Sequence, residues 1–395
     1  MFKVTLSRRV QTIKPSATLG MAALAGRLKA SGKSIVSLAT GEPDFDTPEF
    51  IKQAGIQAIK DGFTKYTPAD GTVELKQAVI NKMKRDNQLD YALPQVMISA
   101  GAKDCLYNLA QALLNEGDEV IIPAPYWVSY PDIVKLAEGV PVIISSTFDD
   151  DFKITPEQLE KAITPKTRLF IINSPSNPTG KAYTPDELKG FADVLLKYPE
   201  ILVATDDIYE AALWSQPNFK NILNVCPELY ERTIVLNSVS KTYAMTGWRI
   251  GYAAGPAPLI EAMTNIQSQS ISNPTSMAQK AAVAALNGDQ QPVRDMVTAY
   301  EERHEYLYKA LQKLPGVRVS PADGTFYLFL DVSEAIKHKG LSDDVTFVEK
   351  LLMDKGLALV PGSAFGLEGC VRLSFAASIE TLTEAVERLN AFLQN

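Results

Sequence analysis

Short apolar runs bounded by Gly, Pro or Asn recur through the middle of the chain, with amphipathic stretches between them. The runs are 96–100 (VMISA), 119–123 (EVIIP), 140–145 (VPVIIS), 168–173 (RLFIIN), 201–206 (ILVATD), 233–238 (TIVLNS) and 250–254 (IGYAA). Continuous apolarity, rather than alternation, is the pattern of a strand buried on both faces. Between the runs, 103–115 brings Leu106, Leu109, Ala110, Leu113 and Leu114 near one helical face. The stretch 187–196 does the same with Leu188, Phe191, Ala192 and Leu195. This alternation predicts an α/β domain whose mostly parallel sheet is covered on both sides.

The last part of the chain reads differently. A helical pattern over 292–314 is followed by the extended GTFYLFLDV (324–332) and a helix over 345–355. Strand-like GLALVPG (356–362) and VRLSFA (371–376) come next, then a terminal helix. That predicts a smaller α+β domain. At 395 residues the chain exceeds one typical domain of about 100–200 residues. We expect an N-terminal segment 1–48 packing with the small domain, a large domain 49–289 and a small C-terminal domain 290–395.

Apolar residues make up 46% and charged residues 22%, ordinary for a globular protein. A net charge of -7 argues against a nucleic-acid partner, which favours a basic stripe. No apolar run approaches the ~20 residues that span a bilayer, so no membrane partner is expected. The N-terminus lacks the apolar core of a signal peptide. Cys105, Cys226 and Cys370 form no CxxC pair, which fits a reducing cytoplasm better than a disulfide framework. The two histidines, His304 and His338, lack metal-ligand spacing, so no metal is expected. If the protein is an enzyme, its proton chemistry is expected to rest on another residue type.

Open parallel sheets bind ligands outside the carboxyl ends of their strands. Gly101, Ala102 and Lys103 follow the first run and open a helix. Residues 173–180 (NSPSNPTG) follow the fourth, Asp206-Asp207-Ile208-Tyr209 the fifth, and Ser238-Val239-Ser240-Lys241 the sixth. Arg249 precedes the last. An amine, an acid, a phenol, an amide, hydroxyls and a guanidinium thus converge on one crevice.

Here the sequence resembles a known family. SVSKTYAMTGWRIGY (238–252) is similar to the cofactor-lysine signature of class I aminotransferases, pyridoxal-phosphate (PLP) enzymes of fold type I. NPTG (177–180) and DDIY (206–209) fall in the expected order. KPSAT (14–18), GEPDFDTP (41–48), PYWVSYP (125–131) and VRLSFA look most like the bacterial aspartate aminotransferase branch. The resemblance spans nearly the whole chain.

It implies that Lys241 carries PLP as a Schiff base and shuttles the substrate's Cα proton, a base that the histidines do not supply. Asp206 would keep the pyridine nitrogen protonated; a helix N-cap is the plainer reading. Asn177 and Tyr209 would bond the cofactor's phenolic oxygen, although Asn177 also fits a simple Asn-Pro turn. Trp127 would stack on the ring, or serve as a core aromatic. Gly101 and Ala102 would offer backbone N–H groups to the phosphate, with Ser238, Ser240 and Arg249 beside them. Both serines also suit turn hydrogen bonds. Tyr66 would reach the phosphate of a neighbouring subunit, which implies a homodimer with shared active sites. Arg372 would grip the α-carboxylate bidentately, helped by Asn177 and Gly41. Ser16, Thr18 and Lys103 would hold a distal carboxylate. A lysine at a helix start opposes the helix dipole by ~0.3–1 kcal/mol, which favours a functional reason for Lys103.

The expected reaction is ping-pong transfer of an amino group from L-aspartate to 2-oxoglutarate. Prephenate (with or without aspartate), alanine or an aromatic amino acid are alternative substrates, and a PLP lyase of the same fold is a further alternative. A PLP-sensing regulator would need an added DNA-binding domain, for which the N-terminus is too short. A nicotinamide enzyme is disfavoured because no GxGxxG follows an early strand.

Overall fold

The computed structural model describes residues 4–394. In chain order the strands are β1 (Val36–Ser37), β2 (Val96–Ser99), β3 (Glu119–Ala124), β4 (Val140–Ser145), β5 (Thr167–Asn173), β6 (Leu202–Asp206), β7 (Thr233–Ser238) and β8 (Gly251–Ala254). They continue with β9 (Arg318–Val319), β10 (Tyr327–Asp331), β11 (Leu357–Ala358), β12 (Val360–Pro361) and β13 (Cys370–Ser374).

All seven apolar runs enter one sheet, ordered β2-β8-β7-β6-β5-β3-β4. Neighbours are parallel except at β8, which runs antiparallel to both β2 and β7. The apolar pattern predicted the sheet but not this reversal, because a strand buried on both faces reads the same in either direction.

Successive side chains point to opposite faces and feed two cores. Ile121, Phe170, Val203 and Val235 join one cluster, with Leu188 and Phe191 of helix Pro185–Leu196 packed among them. Val120, Leu169, Ala204 and Ile234 join the other, against Leu106 and Leu109 of helix Ala102–Leu113. Both predicted helices therefore form, and they cover opposite faces of the sheet.

A third core gathers Leu307 of helix Gln291–Leu311, Leu351 of helix Asp344–Lys355, Leu389 of helix Ile379–Leu393 and the strands of an antiparallel sheet β12-β13-β10-β9. Met21, Val36 and Leu38 belong to the same cluster. The stretch 356–362, expected as one strand, divides at Leu359. Its first half, β11, pairs in parallel with β1, and its second half, β12, pairs with β13.

Two features of this architecture place the site. The ends of β5 and β6 lie level, Asn173 being the register partner of Asp206. The turn that carries Lys241 is closed at its base by the pairing of Ser238 with Gly251.

Candidate active site

A cavity of about 360 Å³ opens where the strand ends meet the β10–β13 sheet and the segment around Gly41. Lys241 enters it from the short helix Val239–Thr242. Its ammonium donates to the Gly41 carbonyl at 2.5 Å. Burial pushes its pKa down from 10.5 to about 8; Glu42 opposes that, while the charges of Arg372, Arg249 and Lys103 assist. A buried amine that loses its proton this near neutrality can act as nucleophile and base.

Asp206 closes β6 in the same cavity. Tyr130 donates to its Oδ2 at 2.6 Å. Its Oδ1 is buried and has no hydrogen-bond partner among the described residues. Burial raises the carboxyl from 3.8 to about 6, against the pull of the Tyr130 bond and of the Ile208 amide. No helix follows Asp206, so it does not act as an N-cap.

Arg372 lies on β13 and is 2% exposed. Its partners are neutral: Asn177 Oδ1 at 3.0 Å and the Ala39 carbonyl at 2.7 Å. The rings of Tyr327 and Phe365 lie 4.5 and 5.0 Å from the guanidinium. Its Nε has no hydrogen-bond partner among the described residues, and burial lowers its pKa. An unpaired guanidinium is costly to bury and calls for an incoming anion. Because Asn177 accepts from Arg372, its amide Nδ2 stays available as a donor. The backbone N–H of Asn177 donates to Asn173 Oδ1 at 2.9 Å, and Asn173 Nδ2 donates to the Asp206 carbonyl at 2.8 Å. The hydroxyl of Tyr209 lies 3.0 Å from that of Tyr327.

On the other side of the cavity, Gly101 caps helix Ala102–Leu113 with φ of 97°, a conformation that favours glycine. Arg249, left-handed at φ 57°, bonds the Ala100 carbonyl at 2.8 Å and the Thr246 carbonyl at 2.9 Å. Ala102, Ser240 and Arg249 line the cavity, whereas Gly101 lies behind them against the Arg249 guanidinium. Ser238 does not line it. Its hydroxyl accepts from the Ser240 amide at 2.8 Å and caps the lysine helix. It faces a separate cavity instead, beside Lys82 and Glu210.

Lys103 reaches over the indole of Trp127 at 4.8 Å, and its pKa is lowered by burial and then by Arg249. Both residues line the cavity, as do Ser16 and Thr18, whose hydroxyls are 2.9 Å apart. Tyr66 stands apart, 89% exposed and outside the cavity of its own chain. Among the described residues that line the cavity, Lys103, Lys241, Arg249 and Arg372 are matched by two acids, Glu42 and Asp206. A protein of net charge -7 thus carries an electropositive pocket, suited to anionic ligands.

Three contributors were not assigned from the sequence. Tyr130 sits inside the PYWVSYP motif and Tyr327 inside GTFYLFLDV, while Asn173 ends a predicted strand. Each was visible as a polar group in an apolar stretch, but its partner lies far away in sequence.

Residues 33–389 match the family described as aminotransferase class I and II. An aspartate/prephenate aminotransferase of Nitrosomonas europaea is 55% identical over 394 residues, 98% of this chain and 99% of that protein. An aspartate aminotransferase of Geobacillus stearothermophilus is 49% identical over 389 residues, again 98% and 99%. The crystal structure of an aspartate aminotransferase from Rhizobium meliloti superposes with a TM-score of 0.94 at 42% identity, covering 99% of both chains. That of the Thermus thermophilus aspartate aminotransferase with maleate gives 0.92 at 40%, covering 98% of this chain and 100% of that one. The architecture is that of fold type I. The chain belongs to the class I and II aminotransferase family, and it is an aminotransferase.

Proposed function

We propose that the protein uses pyridoxal phosphate to move the amino group of L-aspartate to 2-oxoglutarate, giving oxaloacetate and L-glutamate. The observation that carries this reading is the unpartnered Oδ1 of Asp206 in the cavity that also holds the Lys241 amine. The residues present fit the cofactor. Oδ1 of Asp206 would take the pyridine N–H, which satisfies an otherwise orphaned buried acceptor. Lys241 would carry the cofactor, Trp127 would face its ring, and Asn177 with Tyr209 would bond its phenolic oxygen. Gly101, Ala102, Ser238, Ser240 and Arg249 would hold the phosphate.

When bound, pyridoxal phosphate supplies an electron sink for the pair left at a substrate's Cα. The chain supplies the rest. Nζ of Lys241, poised near pH 8, takes the Cα proton and returns it on the other side of the exchange. Arg372 and the Asn177 amide orient the α-carboxylate, and Gly41 holds the Lys241 amine in line. Lys103, Ser16 and Thr18 meet the distal carboxylate, which is why a dicarboxylic substrate fits.

Names of the relatives support aspartate. The Nitrosomonas europaea relative also supports a second reading, in which prephenate is a further keto-acid substrate. The exposure of Tyr66 supports a homodimer in which it completes the partner's cavity. A division into 1–48, 49–289 and 290–395 would put Ser16, Thr18 and Arg372 on the smaller unit and Lys241 on the larger. Three unpaired cysteines support a cytoplasmic setting. Among the described residues, no helix is long and apolar enough to cross a membrane.

Protein loaded with pyridoxal phosphate should lose its visible absorption on adding aspartate and regain it with 2-oxoglutarate. An unchanged spectrum refutes the reading. Lys241→Ala should lower turnover by about 10³-fold or more. A panel with prephenate, alanine and aromatic donors, read by product analysis, separates these alternatives and any lyase activity.

A further inference from the structure

We infer that Tyr327 is a positioning residue that couples the carboxylate-binding Arg372 to the cofactor-facing phenol of Tyr209, its ring serving the first and its hydroxyl the second. This rests on the placement of pyridoxal phosphate against Lys241 and Tyr209 proposed above.

Tyr327 opens β10, beside Ser374 of β13, and is 1% exposed. Its ring lies 4.5 Å from the Arg372 guanidinium, which Phe365 also contacts at 5.0 Å. Two aromatic faces fix the plane of the fork at little desolvation cost, and they stand where a protein carboxylate would otherwise neutralise it. The hydroxyl of Tyr327 lies 3.0 Å from that of Tyr209. A Cβ added to Gly41 would come within 2.3 Å of that same hydroxyl, so glycine at 41 leaves room for it. The Gly41 carbonyl in turn receives the Lys241 ammonium. One side chain therefore touches the clamp, the phenol and the segment that holds the lysine.

Two phenols cannot donate to each other at once. Tyr209 keeps its proton for an anionic cofactor oxygen only when Tyr327 donates to Tyr209. A hydroxyl that accepts a hydrogen bond is a stronger donor in its turn. Removing the Tyr327 hydroxyl thus weakens the Tyr209 bond, leaves more negative charge on the cofactor and raises the pH at which its visible band titrates. The charged groups facing this pair are Arg372 on β13 and Asp206 on β6, with Glu42, Arg249 and Lys103 acting on Lys241. None of these is altered by the substitution.

The test compares Tyr327→Phe with Tyr327→Leu in the pyridoxal-phosphate-loaded protein. It measures the pH midpoint of the visible band and the Kd of maleate, a dicarboxylate that cannot react. Tyr327→Phe should raise the midpoint by about 0.5–1 unit and leave maleate affinity within about twofold, because the ring remains over Arg372. Tyr327→Leu should show the same shift and bind maleate about tenfold more weakly. A wild-type midpoint in Tyr327→Phe overturns the hydroxyl link, and wild-type maleate affinity in Tyr327→Leu overturns the ring link. If Tyr327→Leu does not fold by near-ultraviolet circular dichroism, Tyr327→Met replaces it, filling the space without a ring. A wild-type protein with no cofactor band overturns the parent reading and this one with it.

Discussion

The hydroxyl of Tyr130 donates to Oδ2 of Asp206 at 2.6 Å, while Oδ1 of the same carboxylate has no partner among the described residues. One oxygen is fixed by the protein and the other is buried without a partner. Burial raises this carboxyl from 3.8 to about 6, so the folded cofactor-free chain holds the proton more tightly than the unfolded chain does. Stability therefore falls as pH rises from about 4 to 6, and the cost is present in full above 6. Cofactor-free Asp206→Asn should be more stable than wild type at pH 7 by about 1–3 kcal/mol, with the gap closing below about pH 4. Urea denaturation across that range checks it. Equal stability at pH 7 would mean that the carboxylate is already satisfied.

Arg372 presents a planar fork near the rings of Tyr327 and Phe365. Arg372→Lys keeps the charge but loses the fork and the stacking. Removing one charge-assisted bond costs about 1.5–3 kcal/mol, so kcat/KM should drop about 10–100-fold for amino-acid and keto-acid substrates alike. Pyridoxal phosphate affinity, measured by equilibrium dialysis, should stay within about twofold. A variant that loses cofactor and substrate together would place Arg372 in the cofactor site.

Lys103 lies over Trp127 in the cavity. Lys103→Met retains an apolar stem on the indole and removes the charge. It should lower kcat/KM for aspartate by about 10–100-fold and leave alanine, which has no distal carboxylate, unchanged within about twofold. Equal losses for both amino acids would assign Lys103 to the cofactor or to folding instead.

Most of the fold was readable because its signals are local. Continuous apolar runs such as LFII before Asn173 and LVAT before Asp206 need only their own residues to declare a doubly covered strand. Motif residues were readable because chemistry sits directly after strand ends, and Asp206 and Lys241 do so in the sequence itself. The reversal of β8 was not readable, since apolarity carries no direction. Ser238 illustrates a further limit: a serine before a short helix suits a phosphate or a cap, and the 2.8 Å bond it accepts from the Ser240 amide became visible only in the fold.

Local patterns along the chain sufficed for the seven strands of the large sheet, the two covering helices and the identity of Lys241, Asp206, Asn177 and Arg372 as candidates, since propensity, periodicity and motif order act over a few neighbouring residues. Only the tertiary structure decided which groups face each other. Tyr209 and Tyr327 are 118 positions apart, and Arg372 and Asn177 are 195 apart, yet each pair shares a hydrogen bond. Such pairings follow from how the β10–β13 sheet packs over the strand ends, and no local pattern encodes that long-range packing. The same packing strips water from Lys241, Asp206 and Arg372 together, which turns ordinary side chains into a site with shifted proton affinities and unpaired charge.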